Sequence, residues 1–143
     1  MHCVLVTGDV DKPFFFRKSS FQVLPQHEVS CALQCAGNRR HTMRTLLKEV
    51  DGLDWGDGAV MNCRWRGPLL RDVLNITTVR VDDPSTAHVA FECRATECQD
   101  DDYYGGSIPL ERAMRADAEV IVALEVTTPY LLTIPSIHPS IQP

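Results

Sequence analysis

The chain has 143 residues, 44% of them hydrophobic and 23% charged, with a formal net charge of −5. That size and balance fit one globular domain with a genuine core, and the acidic excess argues against a nucleic-acid partner. No apolar run approaches the roughly 18 residues that cross a bilayer. The start, Met1-His2-Cys3-Val4, has neither the charged, apolar and cleavage regions of a signal peptide nor the Arg- and Ser-rich composition of a transit segment.

Val4 to Val10 alternates and is bounded by Gly8-Asp9 and Asp11-Lys12-Pro13, which predicts a short strand entering a turn. Phe14-Phe15-Phe16-Arg17-Lys18 is the next strand, its aromatics serving core and sheet packing. Ser19 or Ser20 is placed to cap a helical turn through Val23-Leu24, which Pro25 stops. Val29 to Cys35 then alternates as a strand and ends in a small-residue turn, Ala36-Gly37-Asn38, followed by Arg39 and Arg40.

That junction is the chemical centre of the sequence. Two fixed positive charges beside a thiol favour the thiolate, the form that attacks electrophiles or binds a soft transition metal. Guanidinium forks suit the oxygens of an oxyanion. The other cysteines, at 3, 31, 63, 93 and 98, form no Cys-x2-Cys pair, and the expectation for all of them is the buried small hydrophobe. A zinc site built from Cys31, Cys35, Cys93 and Cys98 is an alternative.

Past the arginines, Thr42 is placed to cap a helix through Met43, Leu46, Leu47 and Lys48. A turn at Asp51-Gly52 leads to Leu53-Asp54-Trp55-Gly56, then to Gly58 through Gly67 with Trp65 assigned to packing. Pro68 predicts a helix over Leu69 to Asn75, with the proline in its first turn. Ile76 to Pro84 is a connector with some strand character, and His88 to Cys93 alternates as a strand. An acidic loop, Glu97 to Asp102, reads as solvated and lacks the alternating ligand spacing of a calcium site. In Tyr104-Gly105-Gly106-Ser107-Ile108-Pro109-Leu110, glycines allow close backbone approach to a ligand, and Tyr104 and Ser107 can hydrogen-bond its edge; a plain strand-to-helix connection is the alternative. Leu110 to Arg115 predicts a short helix and Glu119 to Glu125 a buried strand.

Four stretches carry a family resemblance. Cys35-Ala-Gly-Asn-Arg-Arg40 resembles the molybdenum-ligand motif of the sulfite oxidase family, which also contains the molybdenum domain of assimilatory nitrate reductase. Val50 to Trp55, Gly58 to Gly67 and Leu70-Arg-Asp-Val-Leu74 match a second block, Tyr104 to Pro109 a third, and Val6 to Val10 with Leu24-Pro25-Gln26-His27 a weaker approach to the cysteine. Where the family often carries a cofactor-binding aspartate, this sequence has Ala95-Thr96. The resemblance runs from about Val4 to Glu125 and stops at Thr127, where a proline-rich stretch replaces the family's Asp-His-Gly and Gly-Ala-Arg segments.

The resemblance implies a strand-rich, mixed α+β molybdopterin-binding fold, incomplete at both ends. Residues 1–126 would form a partial oxidoreductase molybdopterin-binding domain and 127–143 an irregular tail. It implies a molybdenum-molybdopterin cofactor, with Cys35 on the metal and Asn38, Arg39, Tyr104, Gly106 and Ser107 on the pterin. Arg40 would hold sulfite or a similar small oxyanion, with Trp55 lining the pocket, while sulfite is oxidised to sulfate and electrons pass to a haem protein or dioxygen. His41-Thr42-Met43 is nearer to sulfite oxidases than to nitrate reductases. A nitrate reductase-type domain and a truncated, non-catalytic remnant are the alternatives. Family members in eukaryotes occupy mitochondria, peroxisomes or cytosol, and no targeting segment here chooses among them.

Overall fold

The computed structural model of the chain describes residues 3–46, 54, 56–95 and 102–127. Within them strands outnumber helices: β1 (Cys3–Val6), β2 (Phe14–Arg17), α1 (Lys18–Gln22), β3 (His27–Gln34), α2 (Arg40–Leu46), β4 (Val60–Gly67), α3 (Leu70–Thr77), β5 (His88–Cys93), β6 (Tyr104–Pro109), α4 (Leu110–Met114) and β7 (Glu125–Thr127). The strands form antiparallel pairs β1-β2 and β5-β6 and a three-stranded sheet of order β3-β4-β7. The chain divides into two units: residues 1–29 with 65–125, and residues 30–64 with 126–143. No helix of the described residues is long and apolar enough to cross a membrane.

The first unit is built on α3. Its buried residues, Leu70, Val73, Leu74 and Thr77, follow the i, i+3, i+4, i+7 spacing of one helix face. Leu70 and Leu74 pack with Leu110 and Ala113 of α4, and Val73 packs with Phe16 and Phe21. The Phe16 and Phe21 rings stack at 5.1 Å between centroids, and Phe14 meets Phe16 edge-on at 4.7 Å, both favoured arrangements. Phe16 is buried and its neighbour Phe15 exposed, because a strand alternates its side chains between faces; Phe14, on the Phe16 face, remains 43% exposed. Buried Thr77 donates its hydroxyl to the Leu74 carbonyl at 2.8 Å, so its polar group is satisfied.

Gly67 is fixed by close approach. A Cβ there would overlap the Val122 carbonyl oxygen and come within 2.8 Å of its carbon. The contact arises where 120–124 runs beside 66–70: Leu70 N donates to Val120 O, Val122 N to Pro68 O and Leu124 N to Arg66 O.

Several local expectations need correction. Glu119 to Glu125 is not a continuous buried strand. Glu119 is left-handed at φ 46°, Val120, Ile121, Val122 and Leu124 are half-buried, and regular pairing resumes only in β7, because α3 takes the partner backbone away at Leu70. Ser20 does not cap α1 from outside; it sits in the helix and accepts from the Arg17 amide at 3.2 Å. Pro68 precedes the N-cap residue Leu69, where its carbonyl serves Val122. Thr42 lies inside α2, which starts two residues earlier at Arg40. The Tyr104–Pro109 stretch is a strand, paired along its length with β5 from Cys93↔Tyr104 to His88↔Pro109.

The cysteine expectation is also corrected. Cys63 is buried, but Cys3, Cys31, Cys35 and Cys93 are exposed. Cys3, Cys31 and Cys93 lie on strands of two- and three-stranded sheets whose residues there are open to solvent. No group of three metal-ligating side chains comes together among the described residues; Cys98, part of the zinc alternative, lies outside them, as do Asp51-Gly52, Trp55 and most of the acidic loop.

Candidate functional site

Cys35 stands one residue beyond β3, tied down by its own backbone: its amide donates to the Ala59 carbonyl at 2.9 Å. The chain then turns, with the Asn38 amide donating to the Cys35 carbonyl at 3.0 Å. The Ala59 amide returns the bond by donating to Asn38 Oδ1 at 3.3 Å. The predicted Ala36-Gly37-Asn38 turn is therefore present, pinned to Ala59 from both sides, and one end of the Asn38 amide is used in holding it.

Arg39 takes a left-handed backbone at φ 68°, which swings the chain into α2; its carbonyl accepts from the Met43 amide at 3.0 Å. Arg39 is exposed, while Arg40, the first helical residue, folds back toward the turn. Ala36, Gly37, Asn38, Arg40 and Met43 line an open depression of about 410 Å³. The point where a Cβ on Gly37 would sit is 3.4 Å from Arg40 Cδ and 3.7 Å from Cys35 Sγ, so thiol and guanidinium stem converge over a residue that leaves the space between them open. Arg40 Nε is shielded from solvent and has no hydrogen-bond partner among the described residues. A desolvated cationic donor is costly, and the Arg40 side chain brings that positive charge to the wall of the depression.

Three residues to which the sequence reading gave no role in the site flank this turn. His41 Nδ1 lies 2.9 Å from Asp54 Oδ2, and Arg44 reaches the same oxygen at 3.5 Å. The His41 hydrogen bond, with help from the Arg44 charge, holds the Asp54 carboxyl below the usual aspartate range. Their legible signal is the i, i+3 spacing of His41 and Arg44 on one helix face.

In the other unit, Ser107 Oγ lies 3.4 Å from His88 Nδ1 on the paired strand β5. Tyr104 is exposed, and a Cβ at Gly106 would meet nothing within 4 Å, whereas one at Gly105 would strike the Phe91 carbonyl. Gly106 is thus the glycine that faces open space. A second depression, at Pro109, Glu111, Arg112, Arg115, Asp117 and Ala118, offers less to an anion, since Arg115 is already paired with Asp117 at 2.7 and 2.9 Å.

The residues at the turn fit a molybdenum cofactor: one accessible soft sulfur donor at a rigid strand end, beside an unsatisfied buried cationic donor.

Comparison with known proteins agrees with that chemistry. Residues 1–131 match the family described as the oxidoreductase molybdopterin binding domain. The chain is similar to mitochondrial sulfite oxidase of Mus musculus, 49% identical over 102 residues, covering 71% of this chain and 18% of that protein. It is 33% identical over 124 residues to the NADH nitrate reductase of Volvox carteri, covering 85% of this chain and 14% of that one. The chain thus spans under a fifth of the length of these relatives. In fold it is similar to the sulfane dehydrogenase SoxCD of Paracoccus pantotrophus, with a TM-score of 0.62 over 87% of this chain and 29% of that one at 21% identity. The strand-rich architecture, the family match over nearly the whole chain and the cysteine-arginine turn converge: the chain belongs to the oxidoreductase molybdopterin-binding domain family, of sulfite oxidase and nitrate reductase type, whose cofactor is molybdenum-molybdopterin.

Proposed function

We propose that the chain supplies the metal-ligand and oxyanion-binding part of a sulfite oxidase-type site, in which sulfite and water become sulfate with release of two electrons and two protons. The observation that carries this reading is the convergence of the Cys35 sulfur and the Arg40 side-chain stem on Gly37, beside the open depression that Gly37 and Arg40 line. When bound, the molybdenum cofactor supplies two-electron oxygen-atom transfer. The chain's own work is different. Cys35 serves as the metal-ligating thiolate and gives up its proton on metal binding. Arg40 holds the oxyanion by charge-assisted hydrogen bonds in a partly desolvated depression, where such bonds are strong and already oriented. Trp55, which lies outside the described residues, is proposed to line the oxyanion pocket.

Asn38 and Arg39 on the turn, and Tyr104, Gly106 and Ser107 on β6, are the proposed pterin contacts. Open space over Gly106 supports its place in that set. The electrons pass to a haem protein or dioxygen. The domain boundary is proposed at residue 126, with 127–143 forming a tail that takes no part in the site.

Similarity of 49% to a sulfite oxidase against 33% to a nitrate reductase favours sulfite over nitrate. The test is metal content after expression in a host that makes molybdopterin. Near-stoichiometric molybdenum, lost in Cys35→Ser because a hydroxyl replaces a soft thiolate poorly, is the expected result, followed by sulfite-dependent reduction of an acceptor dye. A well-folded wild-type chain without molybdenum would reduce the proposal to its second reading, a non-catalytic family member.

A further inference from the structure

The helix that begins with Arg40 is poorly secured by packing. α2 has seven residues and none is buried, and a helix that short is not stable alone in water. Its first turn holds no acidic residue, while Arg39 and Arg40 crowd cations at the end where the helix dipole is already positive. The Ala59 contacts anchor the turn ahead of Arg40. They do not fix how α2 is rotated about its own axis, and that rotation decides where the Arg40 guanidinium lies.

Asp54 is the described carboxylate that grips the helix beyond Arg40. One oxygen of it takes both His41, at 2.9 Å, and Arg44, at 3.5 Å, two residues three positions apart on one face of α2. Two residues on one face that meet the same carboxylate turn that face of α2 toward Asp54, and this sets the rotation of the helix about its axis. We propose that Asp54 is a positioning residue for the oxyanion pocket: by holding His41 and Arg44 together it fixes α2 so that the Arg40 side-chain stem stays over Gly37 with its Nε out of water. The depressed Asp54 carboxyl agrees with a carboxylate kept charged for that grip. The inference rests on the reading of Arg40 as the oxyanion ligand, and assigns its geometry to a residue that touches neither the anion nor the metal.

Electrostatics alone predicts the opposite sign. Removing a carboxylate close to a cationic anion site should tighten anion binding, whereas loss of positioning should weaken it. Because His41, Arg44 and Asp54 are all partly exposed, the grip is weak in absolute terms, and the expected effect is modest, about two- to fivefold.

The experiment follows the Arg40 Nε–H resonance in the 15N-labelled full chain, identified by its loss in Arg40→Lys, during a sulfate titration at constant ionic strength. The expected wild-type behaviour is slow solvent exchange of that proton and a saturable shift with sulfate. In Asp54→Asn the exchange becomes faster and sulfate binds about two- to fivefold more weakly. In Asp54→Glu and His41→Gln, which keep an acceptor and a donor in place, both stay near wild type. Asp54→Ser, which also removes the carboxylate, repeats the comparison should Asp54→Asn lose the α3 amide signals that report folding. Sulfate affinity unchanged or tighter in Asp54→Asn, with unchanged exchange, overturns the positioning role alone. A wild-type resonance that ignores sulfate overturns the oxyanion reading, and the proposal falls with it.

Discussion

Replacing Gly37 by alanine separates the folding role of the Cys35–Arg40 turn from its binding role. The new methyl would stand 3.4 Å from Arg40 Cδ, 4.0 Å from Arg40 Cγ and 3.7 Å from Cys35 Sγ, which are contact distances rather than clashes. Gly37 does not have a positive φ, so alanine adopts its backbone without strain. Loss of unfolded-state freedom should then add about 0.4–1 kcal/mol of stability. The same methyl fills the space in which an anion would meet Arg40. A hydrogen bond to a charged group is worth about 1.5–3 kcal/mol, so losing one weakens sulfate binding by about ten- to 150-fold. The assay pairs a thermal melt with sulfate titration and molybdenum content. A Gly37→Ala chain as stable as wild type, yet binding sulfate and molybdenum equally well, would show that the depression over Gly37 is not the anion site.

Other perturbations test the scaffold. Gly67→Ala forces a methyl into the Val122 carbonyl, so denaturant titration should show a loss at or above the upper end of usual overpacking costs, about 3 kcal/mol. Leu74→Ala empties the α3–α4 contact and should cost about 2–5 kcal/mol, visible as a lower urea midpoint with little change in slope. Asp54 gives a pH prediction of definite sign. Its folded pKa lies below the ordinary 3.8, so its contribution is complete above that value and disappears as pH falls through the folded pKa. The α2 amide signals should be lost in that acidic window, and Asp54→Asn should flatten the dependence; an equally steep loss in the variant refutes the assignment to Asp54.

The parts of the fold legible in the sequence are those where one periodicity acts alone. His88–Cys93 alternates and is a strand with the expected bounds, and Leu110 starts the short helix where predicted. Boundaries set by tertiary contacts were not legible. The strand expected at Glu119–Glu125 is broken because its partner backbone, Arg66–Leu70, turns into α3. The start of α2 at Arg40 rather than at Thr42 follows from the left-handed Arg39, a conformation that non-glycine residues adopt only when the surroundings demand it. At the site, Cys35 and Arg40 stood out because thiol and guanidinium carry chemistry by type. His41 and Asp54 did not, since thirteen residues separate them and nothing in either local sequence announces the pairing. The exposure of Cys3, Cys31 and Cys93 was equally hidden, because residue type predicts average burial and the sheet decides the particular case.

The uneven distribution of packing bears on how the site works. In the unit of residues 65–125 with 1–29, two apolar clusters meet on α3. In the unit that contains Cys35 and Arg40, Cys63 is the single buried residue among those described. The turn and helix there are held by directional contacts: the Cys35 backbone amide and the Asn38 side chain on Ala59, His41 and Arg44 on Asp54. Such tethers add little global stability when exposed, yet they fix direction, which hydrophobic contact does not. A buried Arg40 Nε without a partner among the described residues is tolerable under those conditions, since its cost falls on a region with little buried apolar packing. Mutations in the α3 clusters should therefore change stability much more than anion affinity, and mutations at Asn38, His41 or Asp54 should do the reverse.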